Sequence, residues 1–303
     1  MSDIVKIKMP ESNYKIDLEL QKEKIYAEIT ADRDFFEKLL KFGLTDIDIK
    51  NNIIKIQDYY DESKICKNCK GIGHCSLGNK FFKRIPISNN GVLDFVYEYC
   101  DLYAFKEKEN SLIISADYDP SYNEKSWTDI DVNSVRNPLV LALTNKIVKN
   151  SGDDFYFIEA PSHQGGTFIT SVFFKSYILK YNLTGIYLDA FLRISELNDL
   201  IFSNKNKFNE LFNKYINVDV LVLNKISSCY FSDFIRDNIL FPLINERIRT
   251  HKMTIVISEI SLDNFVKLMV TKSSASGVRA QQIKSLFANN YSFYNISSNI
   301  KIY

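Results

Sequence analysis

From residue 132 onward the chain alternates short apolar runs with longer amphipathic stretches, and this restricts it to few architectures. The runs are 155–159 (FYFIE), 185–189 (GIYLD), 218–223 (VDVLVL) and 254–258 (TIVIS). Between them, 137–149, 167–181, most of 194–216, and 232–251 carry apolar residues at helical spacing. Strands that alternate with helices are joined by crossovers, so they pair in parallel with helices packed on both faces. A run as apolar as 218–223, interrupted only by Asp219, fits a strand buried on both sides. The expected fold class of 132–303 is therefore α/β.

The preceding part reads differently. A chain of 303 residues is long enough for two domains. The boundaries expected are 1–105 for a small α+β domain, 106–131 for a polar linker with one short element, and 132–303 for the α/β module. Within the first, 31–42 (ADRDFFEKLLKF) has Phe35, Leu39 and Leu40 at helical spacing, Asp32 placed to cap it, and Gly43 as a stop. Residues 47–58 alternate enough for a strand or an irregular connection. Segments 80–87 and 92–99 flank Asn89-Asn90-Gly91, a strong hairpin signal.

Charge narrows the function. With 38 basic and 37 acidic residues the chain is not a polybasic nucleic-acid binder, although a local basic patch stays open. No apolar run approaches the roughly 20 residues of a membrane span, so no membrane association is expected. The opening residues, MSDIVKIKMPES, contain no signal-peptide-like apolar run. Four of the five cysteines fall between 66 and 100. That odd count suits a reducing, cytoplasmic setting rather than a disulfide framework.

Those four cysteines form a candidate zinc site. Cys66-Lys67-Asn68-Cys69 is a CxxC pair, followed by His74-Cys75 and, beyond the hairpin, Cys100. Zinc takes four tetrahedral nitrogen or sulfur ligands, and CxxC supplies two from one knuckle. The expected ligands are Cys66, Cys69, Cys75 and Cys100, with His74 the substitute for Cys75, in a closed structural site. The competing assignment is a set of buried free thiols. Cys229 stands alone and is expected in the core.

Strand 155–159, a loop and helix 167–181 have the setting of a phosphate-binding P-loop, GxxxxGK[ST]. The loop reads Ala160-Pro161-Ser162-His163-Gln164-Gly165-Gly166-Thr167. Gly165 and Thr167 fit the pattern. Ala160 stands at the first glycine, and Gly166 at the lysine that would reach the β and γ phosphates. Strand 218–223 should end in the Walker B acids that anchor Mg²⁺, but Asn224-Lys225 follows it. The strand 254–258 ends beside Glu259, where a polar sensor of the γ-phosphate would stand.

With these motifs on the page, the C-terminal part resembles the AAA+ module of bacterial replicative helicase loaders of the DnaI/DnaC type. Arg136-Asn137-Pro138 leads a helix toward the P-loop strand as in that family. Segment 221–248 resembles its Walker B strand, the following loop and a helix opening on Arg236-Asp237. Segment 254–265 resembles its sensor 1 strand. The cysteine-bearing part is similar to the family's N-terminal domain. The resemblance spans nearly all of 60–290. It implies an AAA+-type P-loop module behind a zinc-binding, helicase-gripping N-terminal domain. The implied role is in DNA replication at the primosome. The implied partners are the hexameric replicative DNA helicase, single-stranded DNA and other loader subunits.

The departures from the family carry as much information. Gly165, Gly166 and Thr167 keep a degenerate P-loop. Asn224, Lys225 and Glu259 replace the Walker B acids and the sensor asparagine. Gln282 and Leu286 stand where the family has arginines. Without the lysine and the acids, a triphosphate loses its cation, Mg²⁺ loses its anchor and water loses its orienting group. The expectation is a pseudo-ATPase, with ATP or ADP binding weak or absent and Thr167 left to cap its helix. Lys225 and Glu259, on neighbouring strand ends, are expected to pair across the old metal site. Arg236 is expected either to contact a partner or to pair with Asp233 or Asp237. Two alternatives are carried. One is an active loader in which Lys175 or Arg136 replaces the lysine, although Lys175 lies about 12 Å along the helix from Thr167. The other is a zinc-stabilised DNA-binding protein.

Overall fold

The computed structural model describes the backbone of residues 11–89 and 92–297, and the side chains of 18–87 and 93–297. The expectations for the first ten residues and for the Asn90-Gly91 turn lie outside the described residues. The chain divides into two compact units, Met1–Glu107 and Lys108–Tyr303.

The described residues of the first unit open with the helices α1 (Glu11–Ala31), α2 (Arg33–Lys41), α3 (Asp46–Asn51) and α4 (Ile53–Lys67). Asp32 caps α2 as expected, accepting from the Phe35 N–H at 3.2 Å. The 47–58 stretch is helical, not a strand. Thr45 and Asp48 form a reciprocal capping box, and Ile49, Ile53, Ile56 and Tyr60 fall on one buried face at intervals of three and four. These residues pack with Ile29, Phe35, Leu39 and Tyr59 into one core. An antiparallel hairpin follows, β1 (Phe82–Asn89) and β2 (Val92–Tyr99), with Phe82 opposite Tyr99 and Arg84 opposite Tyr97. Helix α5 (Asp101–Leu112) contains the boundary between the units.

The stretch 106–131, expected as a linker, supplies an edge strand to the second unit, β3 (Ile113–Ala116). Its Tyr118 and Ile130 are buried in that unit's core. The order continues α6 (Asn137–Lys149), β4 (Phe155–Glu159), α7 (Gly166–Tyr181), β5 (Gly185–Asp189), α8 (Ala190–Ser203), α9 (Lys205–Asn217) and β6 (Val220–Asn224). It closes with α10 (Asp233–Ile235), a π-turn at Arg236–Leu240, α11 (Phe241–Arg249), β7 (Met253–Ser258), α12 (Leu262–Leu268), α13 (Ser276–Asn290) and β8 (Ser292–Asn295). The long helix expected over 194–216 is broken at Asn204, which caps α9 by accepting from the Lys207 N–H at 3.1 Å.

The six strands run in the order β3-β5-β6-β7-β4-β8, and every neighbouring pair is parallel. Alternate residues feed two cores. Phe157, Leu188, Leu223 and Val256 meet one set of helices, while Tyr156, Tyr187, Val222 and Ile255 meet α6 and α7. All residues of β6 and β7 are buried, as suits their largely apolar composition. The fully buried Arg247 ties the opposite end of the sheet. Its guanidinium donates to the carbonyls of Tyr215 (2.8 Å), Val218 (2.8 Å) and Met253 (2.6 Å), so the C-terminus of α9 and the starts of β6 and β7 share one cation. Among the described residues, no helix is long and apolar enough to cross a membrane.

Candidate functional site

Parallel sheets bind ligands beyond the carboxyl ends of their strands, and the six expected residues meet there. Gly165, Gly166, Thr167, Asn224, Lys225 and Glu259 line one cavity of about 590 Å³, with Asp117, Asp119, Tyr122, Ser162 and His163. The P-loop leaves β4 with the Ala160 N–H on the Ser258 carbonyl at 2.8 Å, and the Gln164 N–H closes a turn on the Pro161 carbonyl at 3.1 Å. His163 (φ 64°) and Gly165 (φ 90°) take left-handed backbone to complete it. At Gly166 there is no room for a side chain: a Cβ would lie 2.5 Å from the Ala160 Cβ.

The residues that would hold metal instead hold one another. Thr167 does not cap α7; Gly165 occupies the cap position, and the Thr167 Oγ1 donates to the Oδ1 of the buried Asn224 at 3.3 Å. Lys225 does not pair with Glu259. It takes a left-handed conformation (φ 54°) just past β6, and its Nζ lies 3.2 Å from Asp189 Oδ2 at the end of neighbouring β5. Glu259 turns the other way. It accepts from the Ser162 hydroxyl of the P-loop and from Ser228 Oγ at 3.4 Å, and its N–H donates to Ser227 Oγ at 2.9 Å. Glu259 was drawn toward the P-loop by a serine hydroxyl whose reach the strand order alone does not reveal.

Three side chains at these strand ends, Asp117, Asp189 and Arg193, escaped the sequence reading. Asp189 neutralises Lys225 and also caps α8. Asp117 receives both Nε and Nη2 of Arg193 at 2.7 Å and the Asp189 N–H at 3.2 Å. Burial pushes the Asp117 carboxyl up, but the Arg193 guanidinium and the Asp189 N–H together outweigh it and hold the group below its ordinary value. The available signal was position: Asp117 and Asp189 each close a segment that enters the sheet, and carboxyl ends of strands are where sites form.

The displaced-lysine candidates are committed elsewhere. Lys175 pairs with Glu109 at 3.0 Å and donates to the Asn123 carbonyl at 2.6 Å. Arg136 is buried behind Gly165 and donates to the Asp131 carbonyl at 3.0 Å. Arg236 is 1% exposed and paired with Asp237 (2.8 Å) and Asp233 (2.7 Å), so it serves the fold and not a partner. Gln282 and Leu286 lie on α13, where Gln282 accepts from Arg279 at 3.1 Å. The cavity lining carries the charged groups Asp117, Asp119, Glu259 and Lys225.

In the first unit, Cys66, Cys69, His74, Cys75 and Cys100 all line one cavity of about 330 Å³. Backbone N–H groups of Gly71 and Tyr103 donate to the sulfurs of Cys69 and Cys100, each at 3.4 Å. Burial first, and then the neighbouring Cys69, Cys100 and Cys75, push the Cys66 thiol up. Among the described residues, no three such side chains are already gathered at metal-holding geometry. The donor chemistry suits zinc, and the positions would have to close around it. Cys229 is buried in the core as expected, its thiol pushed up to about 12 by burial.

This sheet order, with a strand–loop–helix leaving β4 and a buried polar residue ending β6, defines an α/β fold built on a six-stranded parallel sheet. No protein-family model and no curated protein matches the chain. Among solved structures it is similar to the crystal structure of DnaI, with 15% identity, a TM-score of 0.51, and coverage of 64% of this chain and 100% of that one. It is also similar to a Streptococcus pyogenes serotype M3 protein provisionally assigned as a primosome component. That match has 14% identity, a TM-score of 0.50, and coverage of 64% and 97%. At such identities the likeness is one of fold, and at that level the sequence resemblance to DnaI is met.

Proposed function

We propose that this protein is a helicase-loader-like assembly factor of replication initiation that has lost nucleotide hydrolysis. The observation that carries the reading is the substitution of protein–protein contacts for metal and nucleotide contacts. Thr167 bonds Asn224, Lys225 pairs with Asp189, and Ser162 bonds Glu259, so each strand end satisfies its neighbour. An active site for phosphoryl transfer needs a phosphate-binding cation, a metal-anchoring carboxylate and a group to orient water. No side chain at those three positions can supply them here. The commitment of Lys175 and Arg136 to other partners weighs against the active-loader alternative.

In this reading the first unit grips the hexameric replicative helicase, and the second works as a rigid scaffold toward DNA or further copies. The protein acts in the cytoplasm, where its cysteines stay reduced. Cys66, Cys69, Cys75 and Cys100 hold a structural zinc, with His74 able to replace Cys75. Their shared cavity and the two N–H···S bonds support that assignment.

The test mixes the purified full-length chain with the same cell's replicative helicase and measures mass by light scattering after size exclusion, with and without ATP. The reading expects one complex of equal yield in both conditions. A complex that needs ATP, or none at all, would overturn it.

A further inference from the structure

The distribution of charge along the chain is uneven in one place. Residues 63–93 contain six basic side chains and no acidic one, while the remaining residues carry 32 basic and 37 acidic. The six are Lys64, Lys67, Lys70, Lys80, Lys83 and Arg84. Three of them, Lys67, Lys70 and Lys80, pair with no carboxylate among the described residues. Lys64, Lys83 and Arg84 do pair, with Glu28, Asp101 and Glu62.

The same segment builds an aromatic surface. On the hairpin, Phe82 lies opposite Tyr99 and Arg84 opposite Tyr97, so all four occupy one face. Toward the hairpin's far end this face packs on α4 through Phe95 and Tyr59, whose ring centroids are 5.7 Å apart. Past that contact the rings emerge: Phe82 is 37% exposed, Tyr97 49% and Tyr99 48%. Phe82 and Tyr99 are 4.8 Å apart between centroids, and the Arg84 guanidinium lies 5.9 Å from the Tyr97 ring. Lys80 borders a depression that Phe82 and Tyr97 line. Half-exposed rings on a strand pair, with the unpaired Lys80 beside them and Lys67 and Lys70 earlier in the same basic segment, match what unstacked bases and a phosphate backbone need.

We infer that this face of the β1–β2 hairpin binds single-stranded nucleic acid, its bases stacking on Tyr97, Tyr99 and Phe82 and its phosphates following Lys80, Lys70 and Lys67. The inference does not depend on the reading of the P-loop site. A duplex, whose bases are already stacked, should bind only through charge.

The full-length protein is titrated into fluorescein-labelled oligothymidylate, oligouridylate and a duplex of matched length, with anisotropy as the readout. A second strand carrying 2-aminopurine reports stacking directly. The expected result is single-strand binding tighter than duplex binding, with quenching of 2-aminopurine. Comparison of the DNA and RNA arms names the sugar preferred. Tyr97→Ala/Tyr99→Ala should weaken single-strand binding about tenfold or more and abolish the quench. Tyr97→Phe/Tyr99→Phe should preserve both, which controls for a folding defect. Lys70→Glu/Lys80→Glu should weaken binding and flatten its salt dependence. Equal affinity for duplex, or a quench and affinity unmoved by the alanine pair in protein with an unchanged circular dichroism spectrum, would overturn the inference.

Discussion

Ala160 and Gly166 stand so close across the P-loop that only one of them can carry a side chain, since a Cβ on Gly166 would meet the Ala160 Cβ at 2.5 Å. A functional P-loop has the opposite arrangement, with glycine first and lysine seventh. The two substitutions are therefore sterically coupled, and the methyl of Ala160 occupies the space the lysine stem would cross.

Restoring the lysine alone should fail for that reason. Gly166→Lys is expected to destabilise the fold by about 1–3 kcal/mol through overpacking. Ala160→Gly/Gly166→Lys should recover most of that loss. Thermal melting monitored by circular dichroism reads both; a single variant that melts like the parent, or a double variant no better than the single, would remove the coupling.

Lys225 is the cation that faces Asp189. Lys225→Asp would set two carboxylates against each other. The pair is half exposed, so the expected loss is modest, about 0.5–1 kcal/mol. Adding Asp189→Asn should remove the penalty. Urea titration of the two single variants and the double gives the coupling; strictly additive effects would mean the contact is idle.

Asp117 supplies a pH signature. Its folded-state pKa is lowered, so its contribution to stability is complete above the unfolded value, near 3.9, and fades as pH falls through the folded value. The melting-temperature gap between the parent and Asp117→Asn should be open at about pH 6 and close toward about pH 3. A gap of constant size across that range would show that the Arg193 contact has no charge dependence.

Zinc should be bound in stoichiometric amount by protein prepared without chelator. Metal analysis checks the content, and chelation should lower the melting temperature of the first unit. Cys66→Ser or Cys69→Ser should lose the metal, whereas His74→Ala should retain it. Metal-free protein with an unaltered melt would favour buried free thiols instead.

The sequence revealed most where one physical requirement dominated. Four strands of the sheet were legible because a doubly covered strand must be mainly apolar, as 220–223 and 255–257 are. The α2 cap was legible because Asp32 has one obvious donor, the Phe35 N–H. Residues 47–58 misled because Ile47, Ile49, Ile53, Ile54 and Ile56 satisfy two periodicities at once, and the capping box at Thr45 decides for helix. The edge strand β3 is four residues long and only partly buried, so it leaves little apolar pattern. In the site, the identities of the substituted residues were readable, but their partners were not. Lys225 has strand ends on both sides, and its left-handed backbone turns it to Asp189. Arg247, which donates to carbonyl groups between Tyr215 and Asp219 and to that of Met253, looks like any surface arginine of a helix.

The most direct test of a site closed on itself is nucleotide turnover by the purified full-length protein, alone and with helicase and single-stranded DNA. Phosphate release should equal the protein-free blank under every condition and should not change in Thr167→Ala. Turnover above the blank that Thr167→Ala or Arg136→Ala abolishes would contradict the account and restore a working ATPase.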